Sequence, residues 1–460
     1  MQHVSGRLAR STVVRYGVGS LGTGGFATLP GLVLVYYLTD TLGVAAAAAG
    51  AIVAIAKIWD VLIDPGIGAL SDHLALRHGN RRRFMTLGAL TLPIFFVLTF
   101  AVPTAASTPV AAVWVTIAFL LSATAFSLFQ VPYIALPAEL TDSYDERTRL
   151  LTVRVVVLAV AILAFGAGGP ALRELGGPPA LGYLLMALVS AIVIGAAMLI
   201  SARAATAARP PKPPAALGPE RPARFAPGAG YVLGAAVLRR SLPLRTLLGA
   251  FLLQGLATGL MLAGAQYIAT WVLDSEAAIS GLFAALIAPA LICAPLWGIL
   301  ARRIGKEIGF AAATVLFTAA ALSLIGLAWA PGWWVYPVIG VAGAAYAGMQ
   351  SLPMAMLPDV ITHDETSHRQ GTAGIIGGVW TAGETTGMAL GAVVFTAVLA
   401  LGGYLSSDTT DHVTQPASAI TAMVIGFSII PAALALLSLL FIMRYPLRRN
   451  DIERDGSDIP

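Results

Sequence analysis

Charge is scarce in this chain, and that scarcity excludes most alternatives. Only 11% of the 460 residues are charged, against 57% hydrophobic, whereas soluble domains carry about 25% charged residues. A water-soluble globular protein is therefore excluded. Cysteine is nearly absent: Cys293 stands alone in an apolar run, so no disulfide can form within the chain, and a catalytic or metal-binding thiolate is unsupported. The six histidines include no pair at ligand spacing inside a helix. With no nucleophile–base set at membrane depth either, an integral membrane enzyme is not supported. No soluble output domain of the kind a sensor needs is recognisable. A cleavable leader is missing too: MQHVSGRLARSTVVR lacks a short apolar core with a small-residue cleavage site, and reads as a basic cytoplasmic tail before an uncleaved first span.

What the chain has in abundance is apolar sequence in long runs. Runs of the ~20 residues needed to cross a bilayer recur near 14–39, 43–71, 84–103, 109–138, 150–172, 180–202, 244–272, 277–301, 307–330, 333–357, 371–401 and 417–443. Between the sixth and seventh lies ARAATAARPPKPPAALGPERPARFAPGAG, rich in Pro, Ala and Arg and without apolar period, which reads as a linker. The expected fold is an all-α membrane protein with twelve transmembrane helices in two six-helix bundles. The bundles occupy 1–202 and 244–444, joined by a cytoplasmic linker at 203–243 and followed by a cytoplasmic tail at 445–460. Gly is plentiful at 48 residues, as close-packed membrane helices require.

The net charge of +5 does not signal nucleic acid, because basic residues fall in alternate loops with no aromatic–basic patch. Arg7, Arg10 and Arg15, then Arg77 and Arg81 to Arg83, then Arg147 and Arg149 lie on one side. Arg203 to Arg245, Arg302, Arg303, Lys306, Arg369 and Arg444 to Arg454 join them. The opposite loops TDTLG, PTAASTP, LDSEA, WAPGWW and SSDTTDH contain no Lys or Arg, and Arg173 is the sole exception. This asymmetry predicts a multi-pass plasma-membrane protein (inner membrane in a Gram-negative cell) with both termini in the cytoplasm.

The halves repeat. Pro65-x-x-Gly68-x-Leu70 recurs as Pro295-x-x-Gly298-x-Leu300, and Pro132-x-x-x-x-Pro137 as Pro353-x-x-x-x-Pro358, each followed by matching basic or acidic–basic loops. Matches in the same order are what parallel six-helix repeats predict. Against this background Asp60 and Asp64 stand out. They lie one turn apart on one face of the second span, where a carboxylate costs at least ~2.5 kcal/mol to insert. Lys57, one turn earlier, offsets only part of that. The corresponding positions of the second half are Ala290 and Ala294, so the fold manages without the carboxylates there. The rival reading is a charge network with Lys57 that only fixes helix packing. A function specific to the first half is favoured: an ion or substrate path.

The segments KIWDVLIDPGIGALSDHLALRHGNRRR, VPYIALPAELTDSYDERTRL, MLPDVITHDETSHRQGT and GVWTAGETTGMALG, together with YYLTDTLG, resemble the glycoside–pentoside–hexuronide:cation symporters of the major facilitator superfamily. The resemblance spans nearly the whole chain. It implies a major facilitator fold working by alternating access, with sugar or glycoside-like solute moved in symport with Na⁺, Li⁺ or H⁺; no cofactor and no obligate protein partner is expected. Asp60 and Asp64 match the family's cation-site carboxylates, Ser127 falls where a hydroxyl faces the cation, and Lys57 stands where an arginine is usual. Arg154, Trp380 and Glu384 match substrate-side positions, to which Gln130, Thr385 and Tyr267 are added. Tyr267 and Trp271 fit lining or interfacial aromatics equally.

Departures from the family pattern shape the expectation. Ile63 replaces an asparagine that would give the cation a further oxygen. Two carboxylates and a hydroxyl are a lean set for Na⁺, while a close carboxylate pair can retain one proton without further ligands, so H⁺ is favoured as coupling ion. No other metal site is expected; His363, Glu365 and His368 fit a loop. Gly24 and Gln130 replace two sugar-binding carboxylates, and Thr385 replaces a lysine. Carboxylates grip hydroxyls by charge-assisted bonds, so the cavity should suit a less polar solute. On the same fold, an exporter or carrier of an amphipathic compound (a drug, secondary metabolite or lysolipid) is the alternative. Gly68, Asp72 and Arg81 to Arg83 look like the superfamily's gating loop. Asp142, Glu146 and Arg147 fit further inter-helix ion pairs.

Overall fold

The structure is a computed structural model and describes residues 8–141, 144–207, 229–368, 373–407 and 414–447. Its α-helices run α1 Arg10–Asp40, α2 Ala46–His78, α3 Arg82–Phe100, α4 Thr108–Leu140, α5 Tyr144–Leu175, α6 Pro179–Ala202, α7 Ala229–Arg240, α8 Leu242–Tyr267, α9 Ala278–Ile304, α10 Lys306–Ser323, α11 Val335–His368, α12 Ala373–Leu401, α13 Ala417–Phe427 and α14 Ile429–Met443. Short 3₁₀ turns follow α6 and α10, and a π-helical turn, Ile268–Val272, extends α8. All regular elements among the described residues are helical. This is the expected answer to a solvent without water, since a helix satisfies its own backbone groups.

Among the described residues, eleven helical segments are long and apolar enough to cross a membrane. The helix that falls short is α11, whose apolar content is diluted by Tyr336, Pro337, Tyr346 and Gln350. The last span is broken rather than continuous: α13 ends at Phe427 and α14 begins at Ile429, with Ser428 off the helical backbone at φ −122°, ψ −69°. Pro431 explains the break, because its ring lacks an N–H and crowds the carbonyl four residues back.

Several helices outrun their apolar cores. Helix α2 continues to His78 and α11 to His368, and α5 starts at Tyr144. The stretches read from sequence as loops after the second, fourth and tenth spans are therefore partly helical. Within α11 both Pro353 and Pro358 are accommodated. The segment read as linker, 203–243, contains α7, whose Gly234 packs against Val379 of α12 and whose Arg240 pairs with Asp364 of α11 at 2.7 Å.

By contact the helices form two compact units. One holds α1, α2 from Ile55 onward, and α3–α6; the other holds α7–α14 and residues Ala45–Ala54. Within the first, α1 packs on α5 and α6, and α3 on α4 and α6. Within the second, α8 packs on α12 and α14, and α10 on α11 and α14. The same pairings thus recur in both units, as the repeated proline motifs anticipate.

Close approach is what glycine permits here. A methyl group at Gly17 would overlap Val153 of α5, and one at Gly25 would overlap Phe165; at Gly19 and Gly22 it would overlap Ser201 and Met198 of α6. In the second unit, Gly391 of α12 lies against the backbone of Gly259 and Leu260 in α8. Without a hydrophobic drive between helices in lipid, such backbone proximity supplies the dispersion contacts that hold them.

Polar ties supplement packing. Gln254 of α8 donates to Thr314 of α10 at 2.9 Å and to Ser438 of α14 at 3.1 Å. Arg173, the arginine that breaks the charge asymmetry, is not a loop charge; it is 4% exposed and donates to Tyr183 at 3.1 Å. At the start of α3, Arg81 binds Glu139 near the end of α4 at 2.6 Å and Ser71 of α2 at 3.0 Å. Lys306 at the start of α10 binds Asp359 of α11, also at 2.6 Å. The two units thus carry ion pairs at equivalent corners.

Two outcomes test this account. Arg81→Met should destabilise the protein by about 3–5 kcal/mol by removing the guanidinium that the buried Glu139 faces, and Arg81→Met with Glu139→Met should recover most of it; thermal unfolding in detergent measures both. Gly391→Leu should cost about 1–3 kcal/mol or more through overpacking, while Gly298→Leu, which has nothing within 4 Å, should leave the melting temperature near wild type.

Candidate functional site

In α2 the chain places Lys57, Asp60 and Asp64 along one helix face. The Lys57 ammonium sits 3.2 Å from Asp60 Oδ2, an i, i+3 pair. Facing them is α4: Trp59 Nε1 donates to Thr124 Oγ1 at 2.9 Å, the Ser127 hydroxyl lies near the Asp64 carboxylate, and Gly68 lies against Val131. The two helices are held in parallel register at these three levels. Ser127 is fully buried. Lys57 satisfies one oxygen of Asp60, and Oδ1 of each aspartate is buried with no hydrogen-bond partner. Buried polar atoms are almost always paired, so two orphaned carboxylate oxygens one turn apart form a place prepared for positive charge. Gln130, one turn beyond Ser127, also has an unpartnered buried oxygen, Oε1.

A second cluster occupies the same unit. Tyr133 of α4 stacks on Tyr16 of α1 with ring centroids 4.7 Å apart. Its hydroxyl donates to the Tyr16 carbonyl at 2.9 Å and lies 3.0 Å from Ser20 Oγ, which is left as the donor of that pair. The Arg154 guanidinium stands over the Tyr133 ring, 5.6 Å from its centroid, and has no carboxylate partner among the described residues. Cation–π placement of this kind holds a guanidinium while leaving its donor fork available.

In the other unit, Trp380 of α12 is 2% exposed and stacks on Phe251 of α8 at 4.3 Å; its indole N–H has no partner. Glu384, one turn on, is half-buried and has no basic partner among the described residues. It lies within electrostatic reach of the Tyr346 hydroxyl, which accepts from Gln350 Nε2 at 2.9 Å. Thr385 is half-buried beside it. Tyr267, expected among the substrate residues, is wholly buried between Phe395 and Tyr404, a core position in this conformation.

The gating residues are placed only in part. Arg81 pairs with Glu139, a residue that sequence reading missed; the side chains of Asp72 and Arg147, and Asp142 itself, lie outside the described residues. Glu146 accepts from the Leu8 backbone N–H at 3.1 Å and pairs with Arg149 at 3.3 Å. His363 belongs to α11, the side chains of Glu365 and His368 are outside the described residues, and no cluster suited to a metal occurs among those described. Near Asp359, burial foremost and then the Asp359 and Glu307 carboxylates push the Tyr445 phenol well above its ordinary range, so it remains a neutral donor. Thr124, Tyr133, Tyr346 and Gln350 also escaped the sequence reading. Thr124 and Tyr133 could have been found from three-residue spacing with Ser127 and Gln130 on α4.

With this geometry in hand, comparison with known proteins is informative. A glucuronide carrier protein homolog of Escherichia coli is 25% identical over 96% of this chain and 93% of its own. An uncharacterized symporter of Synechocystis is 34% identical, but over only 35% of this chain and 29% of the relative. The sphingosine-1-phosphate transporter MFSD2B of Mus musculus is 25% identical over 80% of this chain and 75% of its own. Among solved structures, the nucleoside transporter NupG superposes with a TM-score of 0.65, covering 95% of this chain and 98% of that one at 11% identity, a likeness of fold. Residues 15–449 match the MFS/sugar transport protein family. The chain belongs to that family, whose members are membrane transporters and not enzymes.

Proposed function

We propose that this protein is a secondary active symporter of the plasma membrane that moves a sugar or glycoside-like solute together with a monovalent cation, H⁺ in preference to Na⁺. It works by alternating access of two six-helix bundles, 1–202 and 244–444, joined by the linker, with α11 as the tenth of twelve spans and both termini cytoplasmic. The observation that carries this reading is the pair of buried carboxylates on α2, each with an orphaned oxygen, in a helix otherwise apolar enough to span a bilayer. Cation uptake at Asp60 and Asp64, with Ser127 as hydroxyl partner, removes net negative charge from the hydrocarbon region. A solute that binds the neutralised form better shifts the conformational population. Gln130 and Arg154 in one unit, and Glu384, Thr385 and Trp380 in the other, are the proposed solute-side groups. Arg81, with Asp72, Asp142 and Arg147, is proposed to act in gating.

Two features support a second reading, transport of an amphipathic compound: the match to a sphingosine-1-phosphate transporter over most of the chain, and Gly24 and Gln130 at positions where the family has carboxylates. Transport direction in inside-out vesicles, compared for glycosides and lysolipids, separates the two.

A thermal-shift screen of sugars and glycosides would identify the solute, and its accumulation in proteoliposomes then tests the site. Asp60→Asn and Asp64→Asn should each abolish accumulation driven by an ion gradient while leaving the protein folded; intact gradient dependence in both would sink the assignment. Ser127→Ala should weaken cation-driven uptake about tenfold or more, as the loss of a hydroxyl partner worth ~1.5–3 kcal/mol to a charged group predicts. Glu384→Gln should raise the solute KM without altering which ion drives uptake.

A further inference from the structure

Glu384 is the sole ionisable residue of α12, and it lies within the apolar span Val379–Leu401. A methyl group at its neighbours Gly383 and Gly387 would overlap Leu248 and Leu252 of α8, so an apolar seam flanks the carboxyl group. Other carboxylates of this unit face cations: Asp364 meets Arg240 at 2.7 Å, and Asp359 meets Lys306 at 2.6 Å. Glu384 has no such partner among the described residues. The described charged side chains on helices packed against α12 are Arg239 and Arg240 of α7, Arg245 of α8, and Asp359, His363 and Asp364 of α11; α13 carries none. None of them acts on Glu384. The titratable side chain within its electrostatic reach is the Tyr346 phenol of α11.

We propose that Glu384 is a second proton carrier, separate from the carboxylate pair on α2, so that two protons accompany each solute. This deepens the reading of the protein as an H⁺-coupled symporter and rests on it. A lone carboxylate inside a span has to be neutralised. With no side-chain cation at hand, the task falls to something mobile, and a proton needs one lone pair and no further ligand. The surroundings suit both states of the group. Gln350 Nε2 donates to Tyr346 Oη at 2.9 Å, which leaves the phenolic O–H as a donor for another acceptor. A carboxylate near a neutral donor can gain and lose a proton, whereas a fixed ammonium such as Lys306 beside Asp359 holds its partner ionised. In the cycle, a proton from the outer medium forms an O–H bond on Glu384, and the acid donates that proton to an oxygen of the solute. After the solute leaves, the O–H bond breaks and the proton passes to the cytoplasm.

Infrared difference spectra of the purified full-length protein between alkaline and neutral pH, without solute, test this through the carbonyl stretch of a protonated carboxyl group. Ordinary carboxylates stay ionised over that interval. Wild type should show two components, one lost in Asp60→Asn with Asp64→Asn and the other in Glu384→Gln, while Glu384→Asp keeps both. A residue that only packs or only touches solute would leave the spectrum unchanged. Proteoliposomes held at zero membrane potential give the count. There, limiting accumulation of the glycoside found by the thermal-shift screen should rise about a hundredfold per pH unit of gradient in wild type and about tenfold in Glu384→Gln, since each coupled proton contributes about tenfold. The proposal is overturned if Glu384→Gln, monodisperse, retains both infrared components, or if wild type gains only about tenfold per pH unit. The underlying coupling reading fails separately, if Asp60→Asn with Asp64→Asn retains proton-driven accumulation. Loss of accumulation there, with both components unchanged in Glu384→Gln, defeats the Glu384 assignment alone.

Discussion

A carboxylate carried into hydrocarbon must meet a cation or a proton, and this requirement organises the chain's first unit. Asp60 and Asp64 cannot be paid for by propensity or packing, so α2 brings its own counter-charge on Lys57, and α4 brings the hydroxyl of Ser127 near Asp64. The balance remains one charge short. At Arg81 and Glu139, by contrast, a guanidinium faces the carboxylate at 2.6 Å. Charge left unmatched in a low-dielectric region is a standing demand for a mobile ion.

The packing answers a different constraint. In lipid, helices gain little by hiding apolar surface from one another, so contact has to be close. Glycines on α1 and on α8 and α12 give that contact in equivalent places of the two units. The recurrence of helix pairings shows what the repeat conserves: the small-residue seams and the corner ion pairs, but not the carboxylates, which give way to Ala290 and Ala294 in the second unit.

Much of this was legible in the sequence because membrane folding is read from local properties. Span positions follow from apolar length, and the exceptional status of Asp60 and Asp64 follows from charge within such a run. What escaped depends on distance along the chain. Nothing local marks Glu139 as a partner of Arg81, 58 residues away. Helix ends were misjudged because α2, α5 and α11 extend as polar helix beyond their apolar cores, where hydropathy falls while the backbone pattern persists. Aromatic residues were the hardest to place. Tyr267 reads equally as lining or interfacial, and only its packing against Phe395 and Tyr404 makes it a core residue.

Helix α4 has a consequence of pure geometry. Thr124, Ser127, Gln130 and Tyr133 recur every three residues, while a turn takes 3.6. The polar line therefore winds around the rod instead of running straight down it. Over the nine residues from Thr124 to Tyr133 it passes through about two and a half turns and ~13 Å of rise, ending on the opposite side. One end of this spiral touches α2 beside the aspartates; the other stacks on α1 and lies beneath Arg154 of α5. The carboxylate pair and the arginine thus lie at the two ends of one polar line on α4.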